Sequence, residues 1–210
     1  MGELRFECVD ARPDRYAIAP LLLFRLRIAE SDGEPVHAIA LRCQIRVEPR
    51  RRRYAPAEEE RLLDLFGEPS RWSETLNPFQ FASVSHIVPA FTGSVELELP
   101  VPCTYDFEVA AAKYFHSLDS GEIPLLLLFS GTVFSHTQAG FTVQQIPWHH
   151  ESAYRLPVAV WRDMMDLHFP NAAWIRLRRE TLDALQRFKA TRALTSWDQA
   201  LEELLSGAKV

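Results

Sequence analysis

The chain has 210 residues, of which 47% are hydrophobic and 24% charged, the balance of an ordinary globular protein. A chain of this length buries roughly 70% of its unfolded surface, so it needs neither disulfide nor metal to hold a core. The formal net charge of −5 argues against a general nucleic-acid binder and leaves only a local basic patch open.

Residues 4–9 alternate apolar and charged, which predicts a half-buried strand, and residues 10–20, with two prolines, read as a connection. Leu22, Phe24, Leu26 and Ile28 share one face of the next strand, 21–30. Ser31-Asp32-Gly33-Glu34 is a turn signal, because Asp-Gly accepts positive φ cheaply. In the following strand Ile39, Leu41, Cys43, Ile45 and Val47 point one way and Arg42, Gln44 and Arg46 the other. These two strands are predicted to form a hairpin.

Arg50, Arg51, Arg52 and Arg53 follow, and residues 56–66 predict a helix with Pro56 at its start, glutamates in its first turn and Gly67 as its stop. Residues 70–81 read as an irregular segment carrying Trp72, Phe79 and Phe81. Alternation returns at 83–88 and, after a Thr92-Gly93 turn, at 94–101. Residues 105–115 mix strand and helix signals and are read as strand, because a turn leads straight into the apolar run 123–129. That run predicts a central strand covered on both faces, continuing to Phe134 with a bulge at Gly131. Ala139-Gly140 turns the chain into a last strand, 141–146.

Beyond Pro147 the pattern changes. Residues 157–167 are helical in period, with Val158, Trp161 and Met165 in one stripe. Residues 174–178 alternate as a short strand, and two amphipathic helices follow, one carrying Leu182, Leu185 and Phe188, the other Trp197, Ala200, Leu201, Leu204 and Leu205. Ser196 and Gln199 have the spacing of a capping box. The fold class expected is α+β: a predominantly antiparallel β-sandwich over residues 1–150 with one inserted helix, then a C-terminal strand-helix-helix segment within 151–210 packed on or beside it.

Cys8, Cys43 and Cys103 are few, widely spaced and without a C-x-x-C pair, which predicts a reducing, cytoplasmic setting and no thiolate metal cage. The start of the chain lacks the features of a signal peptide, and the apolar run 123–129 is too short to cross a bilayer. No membrane span is therefore expected.

Chemistry-bearing patterns are sparse. The arginines Arg50, Arg51, Arg52 and Arg53 form the densest charge; they suit contact with phosphate, RNA or an acidic partner, or else a solvated loop balanced by Glu58, Glu59 and Glu60. His149-His150-Glu151, with His116 or His136 approaching from another strand, is the one cluster resembling metal ligands, but adjacent histidines on an extended backbone point apart. No nucleophile elbow or glycine-rich phosphate loop is present, so no catalytic residue, cofactor or metal site is predicted. The C-terminal strand, helix, turn, helix order resembles the ribbon-helix-helix modules of antitoxins and repressors. That resemblance implies an outward set of Trp174, Arg176 and Arg178 that would read DNA, whereas the alternative is a strand that closes the sandwich.

A broader resemblance is carried by Arg71-Trp72, Pro102-Cys103-Thr104-Tyr105-Asp106-Phe107, the run from Pro124 through Gly131-Thr132-Val133-Phe134, Ile146-Pro147-Trp148, Leu156-Pro157-Val158 with Trp161, Phe169-Pro170 and Ser196-Trp197-Asp198. Over these residues the sequence resembles a chiefly actinobacterial family of unknown function found in gene neighbourhoods of high-affinity nickel–iron uptake hydrogenases. The resemblance implies no chemistry of its own. It directs the functional expectation toward a non-enzymatic accessory or assembly protein, without cofactor, whose partners are proteins, hydrogenase components or a second copy of the chain among them. The alternative expectation is a module that binds an extended peptide or unfolded segment along a sheet edge, as chaperones and adaptors do; a metal-dependent enzyme stands behind both.

Overall fold

The structure, a computed structural model, describes residues 2–104, 106, 109–137, 140–170 and 175–208, without the side chains of 136 and 137. The chain divides into two compact units, Met1–Ala173 and Trp174–Val210.

Two antiparallel sheets build the first unit. One joins β1 (Leu4–Pro13), β2 (Leu21–Glu30) and β5 (Ser94–Pro102) in the order β1-β2-β5. The other runs β4 (Phe79–Val88), β3 (Val36–Val47), β6 (Glu122–Thr137) and β7 (Gly140–Gln145), with β8 (Glu151–Pro157) beside the first half of β6. Their inner faces meet in one apolar core. Phe6 of β1 stacks on Phe129 of β6 with ring centroids 4.6 Å apart, and Phe24 of β2 meets Tyr154 of β8 edge-on. The period-2 alternation of β3 is what aims Ile39, Leu41, Cys43, Ile45 and Val47 into that core, and all five are buried.

The expected hairpin of β2 with β3 does not form. Both edges of β2 are taken by β1 and β5, and both edges of β3 by β4 and β6. The Asp-Gly turn instead carries the chain from one sheet to the other. The buried Glu30 carboxylate holds the crossing by accepting the backbone N–H groups of Asp32 and Glu34 at 3.1 and 2.8 Å. A crossing needs no ladder partner between the strands it joins, so alternation on each side says nothing of their pairing.

β6 is the long central strand that its apolar run predicts. At Gly131 the backbone takes φ +139°, and a Cβ there would lie 2.1 Å from the Ala40 carbonyl oxygen of β3, so glycine is required for the close approach. β1 outlasts its predicted end, because a register shift between Cys8 and Asp10 lets it pair as far as Pro13.

Helices cluster at one end of the larger sheet. α1 (Pro56–Phe66) begins and stops where its proline and Gly67 predict, and α2 (Trp72–Thr75) is a single turn within the segment expected to be irregular. Residues 110–115 of the segment read as strand lie in α3 (Ala110–His116). Three successive alanines favour helix, and helical spacing lets Tyr114 and Phe115 enter an aromatic cluster with Tyr54, Phe66, Phe79, Phe81 and Trp161. Tyr105 and Phe107 of the same reading lie outside the described residues. The sheet also passes the boundary expected at residue 150: β8 pairs with β6, and α4 (Val158–His168) buries Val158, Trp161, Met164 and Met165.

The second unit holds α5 (Arg179–Thr191) and α6 (Trp197–Gly207). The strand expected at 174–178 is absent over its described part: Ile175, Arg176, Leu177 and Arg178 form no strand, and Trp174 lies outside the described residues. A strand needs a partner for its backbone groups. Here the Arg178 carbonyl instead accepts from the Leu182 N–H, the opening bond of α5. Ser196 caps α6 by accepting from the Gln199 backbone N–H at 3.1 Å, while the Gln199 side-chain Oε1 accepts from the N–H and hydroxyl of Thr195.

Candidate functional site: an arginine-lined cavity

The four consecutive arginines leave the end of β3 on a 3₁₀ turn, Pro49–Arg51. Tyr54 fixes that turn from below: its hydroxyl donates to the Pro49 carbonyl at 2.7 Å and lies 2.8 Å from the Tyr114 hydroxyl. Burial pushes the Tyr54 phenol up to about 12, and it pushes Tyr114 further in the same direction. Both phenols stay protonated and serve as fixed hydrogen-bonding groups.

The arginines then part company. Arg52 turns inward, and its Nη2 donates to both carboxylate oxygens of buried Glu58 at 2.8 and 2.9 Å. It also reaches the carbonyls of Ser120 and Glu122, each at 3.3 Å. Glu58 in turn accepts the backbone N–H groups of Ala55 and Asp119 at 3.0 and 2.8 Å. Arg50 is tied to the loop before β4, donating from Nε to the Leu76 carbonyl at 2.8 Å and from Nη2 to Asn77 at 3.2 Å. Among the described residues the Arg51 guanidinium has only a distant partner, Glu48, at 3.9 Å. Among the described residues the exposed Arg53 guanidinium has no ion pair or hydrogen bond.

These side chains line an open cavity of about 600 Å³ together with Gly121, Glu122 and Arg155. Glu122 and Arg155 come from neighbouring strands, β6 and β8, and pair at 3.6 Å. Five arginines thus line one space, with Glu122 the carboxylate on its wall. Such a concavity concentrates positive potential within a chain whose net charge is negative.

Of the expected interaction surface, the structure brings Arg50, Arg51, Arg52 and Arg53 to this cavity, while Arg176 and Arg178 belong to the second unit and Trp174 is outside the described residues. In the single chain, residues 175–178 form no strand. Arg155 and Glu122 carry no signal in the linear sequence, since each is an ordinary outward position of a strand.

The histidines adopt another arrangement. His149 and His150 lie in a turn, not on an extended strand, and their rings approach to 4.5 Å. Both line a cavity of about 260 Å³ near Glu3 and Gln144, and His150 rests edge-on against Phe6. Burial, then the neighbouring His149, hold His150 below its ordinary value of 6.5. His116 packs against Trp161, and the His136 side chain is outside the described residues. Among the described residues no three metal-ligating side chains converge. Burial raises the thiols of Cys8, Cys43 and Cys103 to about 12, so they are protonated at neutral pH and unsuited to nucleophilic attack.

The second unit presents a different kind of surface. α5 buries none of its residues and α6 only Ala200. Leu182, Trp197, Leu204 and Leu205 are exposed, Leu205 to 65%. No helix among the described residues is long and apolar enough to cross a membrane.

These features define an α+β protein: two antiparallel sheets flanked by helices, with a basic cavity at one set of strand ends and a separate helical unit. The chain belongs to the DUF6084 family, described as a family of unknown function, whose match spans residues 1–210. No curated protein matches it in sequence. Among solved structures, it is similar to a late embryogenesis abundant protein at 9% identity and a TM-score of 0.34, covering 74% of this chain and 72% of that one. It is also similar to a β-glucosidase from Kluyveromyces marxianus, at 7% identity and a TM-score of 0.23, over 73% of this chain and 15% of the enzyme.

Proposed function

We propose that this protein is a non-enzymatic accessory or assembly factor of the cytoplasm that acts by protein–protein contact, with a nickel–iron hydrogenase system as its first candidate partner. The observation that carries the proposal is the incomplete burial of α5 and α6. Both helices are amphipathic, yet their apolar side chains Leu182, Trp197, Leu204 and Leu205 remain exposed. Exposed apolar stripes of this kind fit a groove on a partner, with anchors at helical spacing. The hydrogenase assignment rests on the sequence resemblance alone.

The test is co-purification of the tagged full chain from a host expressing the hydrogenase, beside a variant carrying L182S, L204S and L205S. The wild type is expected to bring hydrogenase subunits with it and the variant to lose them. If both emerge alone under gentle conditions, the proposal fails.

A second reading, binding of an extended peptide along a sheet edge, is favoured by β7. It ends the path of the five-stranded sheet, and its Phe141 and Val143 are each 57% exposed.

A further inference from the structure

We propose that the arginine-lined cavity is a binding site for a phosphate-bearing small anion, a function separate from the protein contact assigned to the helical unit. The arginines differ in the donors each has left to offer. Arg52 is spent on Glu58 and three carbonyls, those of Arg53, Ser120 and Glu122, and Arg50 on Leu76 and Asn77. Those bonds make them part of the wall. Arg53 retains its whole donor fork, while Arg51 and Arg155 hold their glutamates only at 3.9 and 3.6 Å, beyond a good hydrogen bond. Three arginines from two separated stretches of chain therefore line the same cavity of about 600 Å³ with guanidinium donors to spare.

The geometry selects the ligand class. A carboxylate has two oxygens in one plane and is satisfied by one guanidinium fork. A phosphate presents three or more oxygens in a tetrahedron and takes forks from several directions at once. Arginines from two separate elements, the loop at the 3₁₀ turn and β8, line the space, as such a group requires. The lining is arginine, glycine and glutamate, so every charged residue on it except Glu122 is a cation and recognition would centre on the anion.

The experiment is isothermal titration of the full chain with sodium pyrophosphate and with inorganic phosphate at low ionic strength, using citrate as a carboxylate of comparable charge. Pyrophosphate is expected to bind one to one with a dissociation constant below about 1 mM. An R53A/R155A double variant should weaken it about tenfold or more. R42A, which changes an arginine lining another cavity, should bind as the wild type does. R53A and R155A alter exposed side chains, so the double variant should keep the wild-type circular dichroism spectrum and melting temperature. Three results would overturn the proposal: no pyrophosphate binding at millimolar concentration, undiminished binding by a folded R53A/R155A protein, or citrate binding as tightly as pyrophosphate. These outcomes leave the co-purification test of the helical unit untouched, so each reading can fail alone.

Discussion

Replacing Glu58 by alanine removes one carboxylate that accepts hydrogen bonds from three groups. Arg52 loses both of its short contacts, at 2.8 and 2.9 Å, and the backbone N–H groups of Ala55 and Asp119 lose their acceptor. The Arg52 and Glu58 side chains are only 9% and 3% exposed, so water cannot readily replace what is lost. Breaking a buried pair by removing one partner costs about 3–5 kcal/mol, because a charge stays behind without its counterpart. The residual bonds of Arg52 to the Ser120 and Glu122 carbonyls, at 3.3 Å, are long and place the expectation for E58A near the lower end, about 3 kcal/mol.

Urea unfolding followed by far-ultraviolet circular dichroism measures this directly, with the slope compared between proteins so that only midpoint shifts are read as stability. A second variant isolates the cause. R52M/E58L removes both charges and fills their volume, and it should be less destabilised than E58A, since no unpaired charge remains. A loss below about 1 kcal/mol in E58A would place the pair among exposed salt bridges and refute the reasoning.

Three further outcomes follow from local geometry. G131A should destabilise the first unit by roughly 3 kcal/mol or more, measured in the same urea experiment, because its Cβ would sit 2.1 Å from the Ala40 carbonyl at φ +139°. S196A should cost the second unit about 1 kcal/mol by leaving the Gln199 N–H without its cap, seen as reduced helical ellipticity in mild denaturant. His150, held below 6.5 when folded, binds its proton more readily in the unfolded chain. Its contribution is therefore full above that value and lost as pH falls through it. H150F should flatten the decline in urea midpoint between about pH 7.5 and 5.5, leaving the part due to His116, which is lowered in the same direction.

Most strands, though not β8, were legible because burial on one face imposes a period that survives in sequence: every inward residue predicted for β3 is buried. Their partners were not. Pairing is settled by contacts remote in sequence, so β2 and β3, joined by a good turn, could read as a hairpin while lying in different sheets. α1 was legible from its ends, Pro56 and Gly67, whereas α3, only seven residues long, carries no comparable punctuation and takes its form from the aromatic cluster it completes. The C-terminal helices showed in their apolar spacing, but a five-residue alternation before them was too short to specify a strand without a partner.

The arginine run shows the same limit at the level of a site. Arg52 and Arg53 are chemically identical neighbours, yet one is buried in a network and the other open. What separates them is Glu58 one helical turn into α1 and the strand ends at Glu122 and Arg155, none of which the run itself announces. The buried half also determines what the open half can do. Arg52 pins the loop to Glu58 and to the start of β6, and that pin sets where Arg53 stands relative to Arg155 on β8. E58A should therefore weaken pyrophosphate binding under conditions where the protein is still folded, although Glu58 does not line the cavity and its removal makes the site more positive. Simple electrostatics predicts the opposite sign, tighter binding, so one titration distinguishes a positioned site from a mere concentration of charge.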